Sequence, residues 1–159
     1  MKEAGSLLLG LVSMILLGCS SGGIEGTWEF DVESSQETNA PVLEASLRTR
    51  LAEDGNPEDL TDEDLAKLRE FIAEETGKMN SNLASLQGGT ISFQPDGTAS
   101  LAQAGGKPES ATWEMQEDRL VITEKSKRMA RYRIEQVGRS LTLWQTLDGV
   151  EFALVYRRK

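Results

Sequence analysis

The chain has 159 residues with 26 acids, 17 bases, no histidine and one cysteine, for a formal net charge of −9. The absence of histidine removes the commonest general base, the commonest transition-metal ligand and the usual neutral-pH switch. A single cysteine excludes an intrachain disulfide, and the acidic total argues against nucleic acid as a partner.

The chain opens with Lys2, an apolar run from Leu7 to Leu17, and then Leu16-Leu17-Gly18-Cys19. A bilayer span needs about 20 apolar residues, so the run is too short to cross one. A charged start, a short apolar core and a small residue at the exit describe a secretory signal over residues 1–18. The Leu-Leu-Gly-Cys ending resembles the lipobox of bacterial lipoproteins. That resemblance implies cleavage before Cys19, lipidation of its thiol and a lipid anchor in the bacterial envelope. Ser20 in the following position implies an outer-membrane destination, facing the periplasm. Each acyl methylene adds about 0.8 kcal/mol of membrane affinity, so several chains on Cys19 make a durable anchor. Residues 19–24, with Ser20-Ser21-Gly22-Gly23, form a short tether, and residues 25–159 form one domain by size.

Residues 26–33 alternate strictly, with Trp28, Phe30 and Val32 on one face and Thr27, Glu29, Asp31 and Glu33 on the other. This predicts a half-buried strand, ended by the polar stretch from Ser34 to Ala40. A helical insertion is predicted over residues 41–86. Pro41 suits a first helical turn, and Leu43, Leu47 and Leu51 follow at four-residue spacing. The run Glu53-Asp54-Gly55-Asn56-Pro57 breaks that helix. Thr61 then suits an N-cap, followed by Asp62, Glu63 and Asp64 in the first turn. Leu65, Leu68, Ile72, Met79, Leu83 and Leu86 form its apolar stripe, and Gly77 is a candidate bend.

From Thr90 the period becomes two. Ile91 and Phe93 lead into the turn Gln94-Pro95-Asp96-Gly97. Strands are predicted over 98–103, 109–116, 119–125, 129–137, 140–147 and 150–157, separated by short turns. With the first strand this makes eight. The predicted fold class is mainly β (α+β): an up-and-down antiparallel β-barrel or half-barrel of about eight strands, with a helical hairpin inserted after the first.

Gly26-Thr27-Trp28 resembles the Gly-x-Trp signature that opens lipocalins and fatty-acid-binding proteins. In those barrels the tryptophan plugs the closed end and a basic residue near the last strand packs across it. The resemblance implies a barrel-end pair of Trp28 with Arg157 or Arg158, with Arg157 taken as the first candidate. A helix pair between the first and second strands also matches fatty-acid-binding proteins. Their carboxylate clamp, Arg-x-Tyr, is missing, because Leu154 stands two before Tyr156. Arg131-Tyr132-Arg133 reads instead as surface arginines beside a core tyrosine.

The expected inward set is Trp28, Phe30, Val32, Ile91, Phe93, Leu101, Trp113, Met115, Leu120, Ile122, Tyr132, Ile134, Leu141, Leu143, Phe152, Leu154 and Tyr156. Of these, Trp28, Phe30, Phe93, Trp113, Tyr132 and Tyr156 are candidate ligand-binding residues of the barrel interior. Trp144 should face outward, against the helical hairpin, or at the membrane or a partner surface. So many large side chains can either fill a small barrel or line a cavity for one small ligand.

Charge is unevenly distributed. From Glu44 to Glu75 eleven acids face four bases, and from Arg119 to Lys159 ten bases face four acids. Either the acidic helices lie over a basic sheet, or a basic face turns toward anionic headgroups. No residue pattern indicates catalysis, a metal or a cofactor. The acidic run Glu58 to Asp64 lacks the spacing of a calcium loop. Two functional readings remain: a membrane-anchored domain that binds a small apolar or amphipathic ligand, or a filled barrel that contacts another envelope protein.

Overall fold

The computed structural model describes residues 23–54, 61–147 and 149–159, and side chains at residues 50–54 are not described. The predicted leader, Cys19 and the start of the tether lie outside these residues. Among the described residues, no helix is long and apolar enough to cross a membrane.

Eight strands close into one antiparallel barrel in chain order: β1 (Gly26–Phe30), β2 (Thr90–Phe93), β3 (Thr98–Ala102), β4 (Glu109–Gln116), β5 (Arg119–Glu124), β6 (Met129–Val137), β7 (Ser140–Leu147) and β8 (Val150–Arg158). Two helices, α1 (Val32–Asp54) and α2 (Asp62–Ala84), lie between β1 and β2. Period-two patterning and short turns explain the meander. Gly97, at φ +82°, occupies the left-handed turn position that favours glycine.

Closure depends on a short seam. β1 pairs with β8 at Trp28↔Arg158, Glu29↔Arg157 and Phe30↔Tyr156 only. Beyond Phe30 the chain leaves the sheet, and the free edge of β8 would expose unpaired backbone groups. Helix α1 covers that edge with side chains. The Val155 N–H donates to Ser35 Oγ at 2.9 Å, and the Ala153 N–H donates to Asn39 Oδ1 at 2.8 Å. Asn39 Nδ2 in turn donates to the Ala153 carbonyl at 2.7 Å. Both polar residues are fully buried, beside Ala153 and Val155 on the outer face of β8. That strand is therefore buried on both faces.

This arrangement corrects the sequence reading in three places. Val32 is not an inward strand residue but the first residue of α1. Asp31 ends the strand by capping that helix: its carboxylate accepts from the Ser34 N–H at 3.1 Å, and its carbonyl accepts from the Ser35 N–H at 3.0 Å. The polar stretch from Ser34 to Ala40 is helical rather than a break, because its hydroxyls and amides bond to helix and strand backbone. Pro41 accordingly lies inside α1, where it can donate no hydrogen bond to the preceding turn.

Helix α2 begins as expected at Thr61, in a capping box with Asp64: Thr61 N–H to Asp64 Oδ2 is 3.0 Å and Asp64 N–H to Thr61 Oγ1 is 3.2 Å. It runs through Gly77 to Ala84 without interruption. Only Leu83 of its stripe is fully buried, whereas Leu65, Leu68 and Ile72 are half-buried and Phe71 is 46% exposed.

The core occupies the barrel interior. Trp28, Ile91, Phe93, Leu120, Ile122, Leu141 and Leu143 are buried, with Leu101, Trp113, Tyr132, Ile134, Leu154 and Tyr156 packed against them. Met115 departs from the expected set and is 39% exposed, because it stands one residue from the end of β4 at the rim. Ion pairs among the described residues join helix to helix positions (Arg48–Glu44, Lys67–Glu63, Lys78–Glu74) or stay within the barrel and its seam (Arg133–Glu151, Lys159–Glu29, Arg157–Asp31). Among the described residues, none of these pairs joins an acid of α1 or α2 to a base of the strands that follow α2.

Candidate functional site: the helix-capped mouth of the barrel

The barrel has two different ends. At one, Trp28 is completely buried and its indole N–H donates to the Ile24 carbonyl at 2.6 Å. The Arg158 guanidinium lies 4.9 Å from the centre of the Trp28 ring, a cation–π contact, and donates to the carbonyls of Gly23 and Glu25. Phe93 meets Trp113 edge to face at 5.5 Å, and the Trp113 indole N–H bonds to the Gln94 carbonyl at 2.9 Å. This end is closed.

The pairing register explains which arginine packs on Trp28. Arg158 pairs directly with Trp28 and points to the same side of the sheet, whereas Arg157 points to the opposite side. Arg157 therefore does not fill the barrel-end role expected for it. It forms an ion pair with Asp31 on the outer surface and donates to the Ser34 hydroxyl at 3.3 Å. Burial is the largest influence on Asp31 and raises its pKa. The Ser34 N–H and hydroxyl and the Arg157 charge outweigh it and hold the carboxyl below its ordinary value of 3.8.

The opposite end is a mouth. A pocket of about 440 Å³ opens there, floored by Phe30, Ile91, Leu101 and Tyr156 and rimmed by Leu86, Thr90, Gln103, Lys107 and Glu109. Phe30 and Tyr156 meet edge to face at 5.4 Å, which fixes the floor. Beside it, a groove of about 830 Å³ runs between the hairpin and the β7–β8 rim. Leu43, Leu47, Met79, Leu83, Leu147, Val150 and Phe152 line it, and Leu86 borders both spaces.

No protein-family model matches this chain, and no curated protein matches it either.

Two phenols reach toward the mouth half of the interior. Burial raises the pKa of Tyr156 far above the ordinary phenol value, with a smaller contribution from Tyr132. Tyr132 is also raised, first by burial and then by the Glu124 charge. Both are neutral hydroxyl donors throughout the physiological range. Among the described residues, no group of acids, histidines and cysteines is placed to hold a metal ion.

The six candidate interior residues thus divide. Trp28, Phe93 and Trp113 fill the closed half, while Phe30 and Tyr156 line the mouth pocket and Tyr132 packs against the core between them. Trp144 faces outward as expected, with the Arg133 guanidinium 4.9 Å from its ring. Its indole nitrogen is buried without a hydrogen-bond partner. An outer groove near the seam, lined by Glu29, Asp31, Arg157 and Lys159, is occupied by ion pairs between those same residues.

Sequence reasoning missed the helix residues of the mouth and the latch of Ser35 and Asn39. One local signal was present: Ser35 and Asn39 precede Leu43 and Leu47 at the same four-residue spacing.

Proposed function

We propose that this protein is a bacterial envelope lipoprotein, anchored through a lipidated Cys19, whose lipocalin-like barrel binds a small apolar or amphipathic ligand at its mouth without catalysing a reaction. One observation carries the binding reading: the mouth pocket of about 440 Å³ exceeds the roughly 300 Å³ at which small-molecule sites begin. Its floor is apolar, and Tyr156, Lys107 and Glu109 supply polar contacts. The adjoining apolar groove extends the surface available to a ligand's tail. The filled closed half limits such a ligand to the mouth half of the barrel. The lipobox-like Leu16-Leu17-Gly18-Cys19 supports the anchor, and Ser20 supports the outer membrane, facing the periplasm.

The test is native mass spectrometry of the full lipoprotein extracted from its host, with titration by dansyl-undecanoate as a probe amphiphile. A co-purifying small molecule and one-to-one probe binding are expected, both abolished by Leu101→Trp, which fills the pocket floor. Absence of both a bound molecule and probe binding in a folded protein would refute the reading. A second reading, contact with another envelope protein, is favoured by the exposed Phe71 and the half-buried Leu65, Leu68 and Ile72 on α2. A specific protein crosslinked to α2, with an empty pocket, would support it instead.

A further inference from the structure

We infer that the closed end of the barrel faces the bilayer and that the ligand mouth, with its hairpin, points away from it. The orientation rests on the proposed lipidation of Cys19 and follows from where the tether joins the fold. Gly23 and Ile24 are held under the closed end, since Arg158 donates to the Gly23 carbonyl at 2.9 Å and the Trp28 indole to the Ile24 carbonyl at 2.6 Å. Ile24 is itself part of the core. Only Ser20, Ser21 and Gly22 separate Cys19 from Gly23. Four consecutive Cα steps reach at most about 15 Å.

The mouth is too distant for that reach. Strands β7 and β8 run the height of the barrel. At roughly 3.3 Å per residue and a tilt near 40°, eight residues separate the two ends by roughly 20 Å. Helix α1 runs along β8 from Val155 at Ser35 to Ala153 at Asn39, and its Leu43 and Leu47 line one groove with Leu147 and Val150 at the mouth. The hairpin therefore lies toward the mouth, on the side opposite the tether.

Surface chemistry favours an upright domain over one lying on its wall. Among the described residues, the large apolar side chains more than a third exposed are Met115, Val137, Met129, Leu147 and Phe71. Met115 and Val137 lie at the closed rim, Met129 and Leu147 at the mouth, and Phe71 on α2, leaving the wall between without one. The closed end carries charges of both signs, Asp96, Glu117 and Asp118 beside Arg119, Arg139 and Lys159. Contact there is imposed by the tether and does not require anionic lipid. A ligand then reaches the mouth from the aqueous compartment, which favours an amphiphile with appreciable water solubility over a two-chain lipid taken directly from the bilayer.

The test uses the full lipidated chain in phosphatidylcholine vesicles doped with a headgroup-nitroxide lipid. Val137→Cys and Asp118→Cys mark the closed end, Lys125→Cys the mouth and Glu70→Cys the hairpin, each labelled with bimane. Quenching of the closed-end labels should exceed that at the mouth and hairpin several-fold, with no dependence on added anionic lipid. Equal quenching, stronger quenching at the mouth, or no quenching with Cys19 shown to be lipidated by intact mass would overturn the orientation and leave the anchor standing. An unmodified Cys19 on a chain that fails to float with vesicles would refute the anchor, and the orientation with it.

Discussion

The two ends of this barrel share strands but differ in how their interiors are completed. At the closed end, Trp28 is sealed by Arg158 and by backbone carbonyls, and its neighbours Phe93, Leu120 and Leu141 are completely buried. At the mouth, the barrel carries half-buried Leu101 and Tyr156, and further cover is supplied by helices joined to the barrel edge by Ser35 and Asn39. Stability and space are thereby separated: one half packs to exclusion, and the other leaves room.

That contrast sets the order of the expected effects. Trp28→Ala should be the most damaging change, costing about 3–5 kcal/mol in denaturant unfolding, because it removes a fully buried indole from a rigid site. A loss comparable with that of a mouth substitution would break the distinction. Asn39→Ala comes next. It strips buried backbone groups of Ala153 of their partners, at about 1–3 kcal/mol. Hydrogen exchange should quicken at the Ala153 amide more than at Leu141, and equal acceleration at both would mean the latch is not a local device.

Asp31→Ala should cost about 1 kcal/mol as the loss of a helix cap. Asp31 also gives a pH dependence of definite sign. Its folded pKa is below the ordinary 3.8, so its contribution is complete above that value and is lost as pH falls through the folded pKa. Acid titration of stability should therefore flatten in Asp31→Asn relative to the parent, and an unchanged profile would remove the ion pair with Arg157 from the account. Smallest of all, Tyr156→Phe should leave stability within about 0.5 kcal/mol, because burial rather than a protein hydrogen bond governs its hydroxyl. It should nonetheless weaken probe binding at the mouth pocket. A large loss of stability would show that the hydroxyl is structural.

Much of the fold was legible in the residues. Alternation from Thr90 onward and the turn residues place seven of the eight strands to within a residue or two, and Thr61 starts α2 where expected. The misreadings share one cause. Ser34 to Ala40 lacks apolar residues at helical spacing, and the helix there is stabilised by hydrogen bonds to β8, a strand more than a hundred residues later. Local spacing aligns Ser35 and Asn39 with Leu43 and Leu47 but carries no trace of which strand they meet. The same holds for Arg157 and Arg158, adjacent in sequence and alike in chemistry, whose roles part only once β8 pairs with β1.

By itself, then, the sequence determined the barrel-forming strands, the helical insertion and the lipobox-like start, since each is written in spacing a few residues long. Tertiary structure decided that the barrel closes, that Arg158 rather than Arg157 packs on Trp28, and that an open pocket survives at the mouth. Each of those depends on register between distant strands and on the volume left after packing. A run of large apolar residues specifies that an interior exists, but not which part of it remains empty.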